Sequence, residues 1–204
     1  MINKFNFFRA LFVAVLFSMY TGCASTSIKQ PIFQAKEYQP QTMLQIIILP
    51  PVDSRFDKKE KVDLKTQLQE SSAKILRKKG YQVIESPVIN QSSQLTEEDL
   101  KSANPAFIKS LYPSGESRYL MVLSLLDLST KLTFGSTGNA EISGYIFDKD
   151  AGIVVWHDKG IGQVGQGGLL GMLMKSGMDN SAIDMALSNL FLSIPKKDFV
   201  NKEK

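Results

Sequence analysis

Two runs, "LQIIILP" at 44–50 and "RYLMVLSLLDLST" at 118–130, limit what this chain can fold into. An apolar run with no polar alternation reads as a strand covered on both faces. Such strands need helices above and below them. The second run is apolar on both sides at first and turns towards alternation by Leu126, Leu128 and Leu132. Between the two runs, residues 61–79 carry Val62, Leu64, Leu68, Ile75 and Leu76 at mostly helical spacing, with basic residues in the last turn and Gly80 after it. That is the pattern of a helix and its stop signal. "YQVIES" then supplies another strand, so the unit reads as two parallel strands joined by a right-handed crossover.

The remainder of the body follows the same logic. "SQLTEEDLKSANPAFIKSLYPSG" divides into two short helical pieces, with Thr96 as a cap and Pro105 suited to a first turn. "NAEISGYIFDKDAGIVVWHDKG" reads as two strands around a loop at Asp148–Gly152. "MDNSAIDMALSNLFLSI" offers Asn180 or Ser181 as cap and an apolar stripe of Ile183, Met185, Ala186, Leu187, Leu190 and Phe191. The expectation is a single α/β domain over 43–195, a mixed sheet of about five strands covered by helices, in the order β-α-β-α-β-β-β-α.

The amino terminus decides where such a domain would work. "MINKFNFFRALFVAVLFSMYTGCAST" places Lys4 and Arg9 before an apolar stretch from Ala10 to Tyr20, then small residues. This is the order of an export signal. The apolar stretch falls short of the roughly 20 residues that a bilayer-spanning helix needs. "YTGC" resembles a bacterial lipobox, with Tyr20 departing from the usual leucine. Cys23 is the only cysteine in the chain, so it forms no internal disulfide. The reading is a signal over 1–22 and acylation of Cys23. One acyl chain anchors only marginally, at about 0.8 kcal/mol per buried CH₂, so the two or three chains of a lipoprotein are needed for a lasting hold. No aspartate follows Cys23, which by known sorting patterns favours the outer membrane.

Residues 24–42 are polar and broken by Pro31 and Pro40, as a spacer would be, and 196–204 form a charged tail. The formal charge is +4, and losing Lys4 and Arg9 with the leader reduces it to about +2. That excludes a strongly basic nucleic-acid binder.

In succession these motifs resemble a family of bacterial outer-membrane lipoproteins whose globular part is similar to the TolB amino-terminal domain. The residues that carry the resemblance are Cys23, "IILPPV" at 47–52, "LRKKGYQVI" at 76–84, "YLMVLSLLDL" at 119–128, "AGIVVWHDKG" at 151–160 and "GGLLGMLM" at 167–174. The resemblance also implies distant kinship with lipoproteins of the CsgG and PelC types, which assemble as rings. It supplies no catalytic residues.

"GIGQVG" at 160–165 fits the glycine pattern of a dinucleotide loop. A working site of that kind needs a following helix and then a strand bearing the ribose acid. Only one helix follows here, and Asp179 and Asp184 belong to it or precede it. Residues 160–177 therefore read either as a connector or as an interaction segment. Within it Leu169, Leu170, Met172, Leu173 and Met174 are the candidate contact with a subunit or with lipid, although burial in the core would give the same sequence. His157, the only histidine, reads as a surface residue packed on Trp156. Asp148 and Asp150 read as turn formers more than calcium ligands, and Pro50–Asp53 as a rigid turn or the lip of a small cleft. No catalytic residue, metal site or cofactor is expected.

The expected function is a non-enzymatic outer-membrane lipoprotein facing the periplasm, a homo-oligomer or a subunit of an envelope complex. The alternative is a periplasmic module that captures a lipid or peptide in a cleft.

Overall fold

In the computed structural model, which describes residues 31–56, 64–87, 95–113, 117–133, 135–167 and 175–197, Gln45–Ile48 forms the expected buried strand. The element order is β1 (Phe33–Gln34), β2 (Gln45–Ile48), β3 (Val52–Asp53), α1 (Leu64–Lys78), β4 (Gln82–Glu85), α2 (Glu97–Lys101), α3 (Pro105–Leu111), β5 (Tyr119–Thr133), β6 (Gly135–Asp148), β7 (Ile153–Gly167) and α4 (Lys175–Leu190). A single 3-10 turn at Phe191–Ser193 follows. Seven strands make one mixed sheet in the order β1-β7-β6-β5-β2-β4, with β3 also on β5.

The α/β class and the mixed sheet hold, with seven strands in place of about five. Both additions are two residues long. Pro50 and Pro51 lack amide donors and interrupt β2. The chain then rejoins β5 as β3, with Val52 opposite Ser124 and Asp53 opposite Leu125. β1 comes from the segment expected to be spacer. It pairs antiparallel with β7, and nearby Tyr38 is buried in the core.

β2 is parallel to both β4 and β5, while β5, β6 and β7 form an antiparallel meander. Alternate residues build two cores. Ile46, Ile48, Met121, Leu123, Ile142 and Trp156 pack under α1 and α4. On the other face Ile47, Leu49, Leu120, Val122, Tyr145 and Phe147 meet Leu100, Ile108 and Leu111 of α2 and α3. Each large side chain so buried contributes roughly 1.5–3 kcal/mol relative to exposure.

Local signals place the helices. At the end of α1, Gly80 takes φ 91°, the Tyr81 amide donates to the Leu76 carbonyl and the Gly80 amide to the Arg77 carbonyl. This pair of bonds satisfies carbonyls that the helix leaves open. Thr96 and Asp99 form a reciprocal capping box on α2, and Asn104 caps α3 ahead of Pro105. α4 starts at Lys175, earlier than the expected Asn180 or Ser181, and Met185 lies exposed outside its buried stripe.

Candidate functional site

The glycines of "GIGQVG" belong to a strand. Gly160 and Gly162 lie on β7 with their α-carbons turned towards α4. A β-carbon at Gly160 would lie 1.9 Å from the Ala186 carbonyl oxygen, and one at Gly162 1.9 Å from that of Ala182. At Gly138 on β6 it would lie 2.7 Å from the Met178 carbonyl oxygen. Met178, Ala182, Ala186 and Leu190 are successive fourth residues along one face of α4. The helix backbone therefore rests almost directly on the strands, and the glycines are what permit it. The phosphate-loop geometry does not arise, because the glycines precede no helix of their own and continue in strand to Gly167. Asp179, one of the two acids near the ribose distance, bonds the Thr130 hydroxyl on β5.

The opposite face of β6 and β7 carries a cluster of titratable groups, Glu97, Lys101, Tyr145 and His157. Glu97, at the start of α2, accepts hydrogen bonds from the hydroxyls of Ser143 (3.1 Å) and Tyr145 (3.2 Å) and pairs with Lys101 at 3.3 Å. Burial and the Glu97 carboxylate together push the Tyr145 phenol up. The His157 ring stacks on Tyr145, with centroids 4.3 Å apart and planes 5° from parallel. This corrects the expected packing on Trp156: adjacent residues of a strand point to opposite faces, and Trp156 lies in the core under α4. Burial lowers the His157 pKa, a shift that Glu97 and Asp158 oppose. Its Nε2 is buried without a hydrogen-bond partner among the described residues. The Ser143 hydroxyl donates to Glu97, so its proton is directed to a carboxylate and not to the imidazole. The arrangement is that of a packed polar seam beneath α2.

Asp148 takes the turn-forming role expected of it. It is fully buried, accepts the amides of Asp150 and Ala151 at 3.1 Å each, and pairs with Arg118 at 2.6 Å. Burial works to raise its pKa, but the Arg118 guanidinium and the two amides outweigh that and hold the carboxyl below its ordinary value. Asp53 accepts two bonds from the Arg55 guanidinium, at 2.9 and 2.8 Å. The Pro50–Asp53 segment serves as a sheet junction.

Cys23 and the candidate contact residues Leu169, Leu170, Met172, Leu173 and Met174 lie outside the described residues. The elements on either side of 168–174 are described: β7 ends at Gly167 and α4 begins at Lys175. Sequence reasoning missed the edge of β7. Of its fifteen residues, β1 pairs only with Trp156 and His157. Two of the groups beyond are met by side chains: Asp158 Oδ1 accepts the Lys159 amide and Asn189 Nδ2 donates to the Ile161 carbonyl, each at 2.8 Å. Ile161 itself is 59% exposed.

No family model matches the chain, and no curated protein matches it. Solved structures similar to it include lipoprotein GNA1162 from Neisseria meningitidis, at 19% identity over 67% of this chain and 96% of that one, with a TM-score of 0.45. The PelC dodecamer from Paraburkholderia phytofirmans is 14% identical over 75% of this chain and 89% of that one, with a TM-score of 0.46. A minor lipoprotein from Acinetobacter baumannii is 13% identical over 78% and 99%, with a TM-score of 0.40. At these identities and TM-scores the likeness bears on no residue's role.

Proposed function

We propose that the chain is a non-enzymatic outer-membrane lipoprotein, acylated at Cys23, whose α/β domain faces the periplasm as an accessory or structural subunit of an envelope assembly. The observation that carries this reading is the amino-terminal order of basic residues, apolar stretch and "YTGC", ending at the only cysteine of the chain. The reading includes the kinship with TolB amino-terminal-like, CsgG-type and PelC-type lipoproteins drawn from the sequence motifs. Tethering is the mechanism: an anchored domain meets membrane-bound partners at a raised effective concentration. The assembly is a homo-oligomer or a complex with another envelope protein, and Leu169, Leu170, Met172, Leu173 and Met174 are its first candidate contacts. Nucleic acid, metal and cofactor have no part in it.

Mass analysis of the protein extracted from membranes tests the anchor. A first residue of Cys23 carrying acyl groups, and loss of membrane retention in Cys23→Ala, are expected. A mature chain with a free thiol or an intact leader would overturn the reading. Assembly is tested by native mass measurement in mild detergent, where Leu170→Asp with Leu173→Asp is expected to give monomers that keep their fold.

A further inference from the structure

Lys196 and Lys197, the first residues of the charged tail, lie against the end of α1. The Lys197 amide donates to the Lys79 carbonyl at 2.8 Å, and the Lys79 ammonium donates to the Ile194 carbonyl at 2.6 Å. The Tyr81 hydroxyl donates to the Pro195 carbonyl at 3.0 Å, and the Lys197 ammonium lies 5.0 Å from the centre of the Tyr81 ring. Two lysine pairs far apart in sequence, at 78–79 and 196–197, are thereby brought to one corner of the fold.

The corner carries more positive charge than the fold around it answers. Among the described residues no carboxylate lies within ion-pair distance of Lys78, Lys79, Lys196 or Lys197. Glu85, on the strand that follows α1, is taken by Arg77 at 2.8 Å. The negative end of the α1 dipole amounts to about half an elementary charge, against four ammoniums. Burial and the Lys196 ammonium both lower the Lys79 pKa, as crowding of like charges should. An anion joining the corner would relieve that repulsion.

The place of the corner selects the anion. Gln41 Nε2 donates to the Lys196 carbonyl at 3.3 Å, so the corner lies beside the segment by which the chain enters the fold. Pro31 is eight residues after Cys23, a reach of at most roughly 26–29 Å. An anchor at Cys23 would therefore hold this side of the domain close to a bilayer. Anionic headgroups there present many phosphates at once, and each lysine near such a surface adds to the attraction. Lys78 and Lys196 are exposed, with long stems to reach them.

We propose that Lys78, Lys79, Lys196 and Lys197 dock on the anionic phospholipid headgroups of the bilayer that holds the anchor, and so fix which side of the domain faces the membrane. The attraction itself does not need the acyl group. The bilayer as the standing partner rests on the lipoprotein reading.

Lysine acetylation of the full protein, extracted from membranes and added to preformed vesicles, tests this. Vesicles of phosphatidylcholine alone are compared with vesicles carrying about one-quarter phosphatidylglycerol, at about 0.1 M salt. Lys196 and Lys197 are expected to react at least about five-fold more slowly on the anionic vesicles. They should regain their rate at about 1 M salt, where screening sets in beyond roughly 3 Å. Lys109 on α3 and Lys131 on β5 are expected to react equally on both. Equal rates at Lys196 and Lys197 on the two vesicles, or protection of Lys109 and Lys131 in their place, would overturn the proposal. Protection of the corner in native membranes alone would assign it to an acidic protein, and would overturn it equally. The mass of the amino-terminal peptide is read from the same samples. A Cys23 without acyl groups would sink the lipoprotein reading, while the rates at Lys196 and Lys197 would still decide the corner.

Discussion

The sheet is two structures joined along β5. In the parallel half, β2, β4 and the start of β5 are held by large side chains. Leu68 and Leu76 of α1 press on one face and Leu100, Ile108 and Leu111 on the other. In the far half of the meander, α4 lies on glycines with almost no side chain between, and the reverse face of the strands carries groups such as Glu141 and Lys159, an ion pair at 2.6 Å. One half is stabilised by filling space and the other by keeping it clear. Substitutions of opposite kinds should therefore damage them.

The largest expected effect follows directly. Gly162→Ala places a carbon 1.9 Å from a backbone oxygen that cannot rotate away. Overpacking a well-filled core typically costs 1–3 kcal/mol, and a contact with backbone belongs at the upper end, about 3 kcal/mol or more. Leu68→Ala in the other half should cost about 2–5 kcal/mol by leaving a cavity. The two differ in how they respond to side-chain size. A larger residue worsens a clash and refills a cavity, so Gly162→Val should lose more than Gly162→Ala, and Leu68→Met should lose less than Leu68→Ala. Urea denaturation of the four variants decides this, and the same trend with size at both sites would break the comparison.

The second effect probes the polar seam. Glu97→Ala leaves the hydroxyls of Tyr145 and Ser143 without their shared acceptor. A buried donor so stranded costs about 1–3 kcal/mol. Glu97→Gln keeps an acceptor oxygen and should recover most of it. If both variants match the parent in stability, α2 contributes no polar anchoring to the sheet.

A smaller, pH-dependent effect belongs to His157. Its folded pKa lies below the ordinary 6.5, chiefly through burial. The folded state therefore binds fewer protons than the unfolded chain through that window. This contribution is present above pH 6.5 and is lost as pH falls from there through the folded value. Because the chain has one histidine, its NMR titration is unambiguous. An apparent pKa below 6.5 is expected, together with a flatter stability profile across that window in His157→Gln. A titration at or above 6.5 would mean that the stack on Tyr145 is open to solvent.

The parallel half was legible in the sequence because its signals are local. Continuous apolar runs mean two covered faces, and Gly80 after a basic turn means a helix end. Thr96 and Pro105 announced their caps in the same way. The meander was less legible because its rule joins distant residues. Gly160 and Gly162 look like a loop motif until Ala182 and Ala186 are seen at matching spacing on the next helix. Two glycines alternating in a strand, followed by two alanines four apart, is a signal that pairing the segments would have revealed. β1 was hidden for another reason: two residues in a proline-broken stretch carry no periodicity. The edge it leaves open is a property of topology, which no single segment encodes.

The smallest effect marks the limit of the crowded half. Gly177 lies near the start of α4, yet a β-carbon there would meet nothing within 4 Å. Gly165, on the same strand as the crowded pair, has as its nearest neighbour the Thr137 hydroxyl oxygen at 3.6 Å, an ordinary contact. Gly177→Ala should therefore stabilise the protein by about 0.5–1 kcal/mol through helix propensity and reduced freedom of the unfolded chain. Gly165→Ala should be close to neutral. Both changes are controls that leave the seam untouched, since Gly165 faces away from α4 and Gly177 is exposed, whereas the tight seam runs from Gly160 through Gly162 to Gly138. A loss of more than about 1 kcal/mol in Gly177→Ala would show that the first turn of α4 is pressed against something, and the crowded half would then extend further than the strands beneath it.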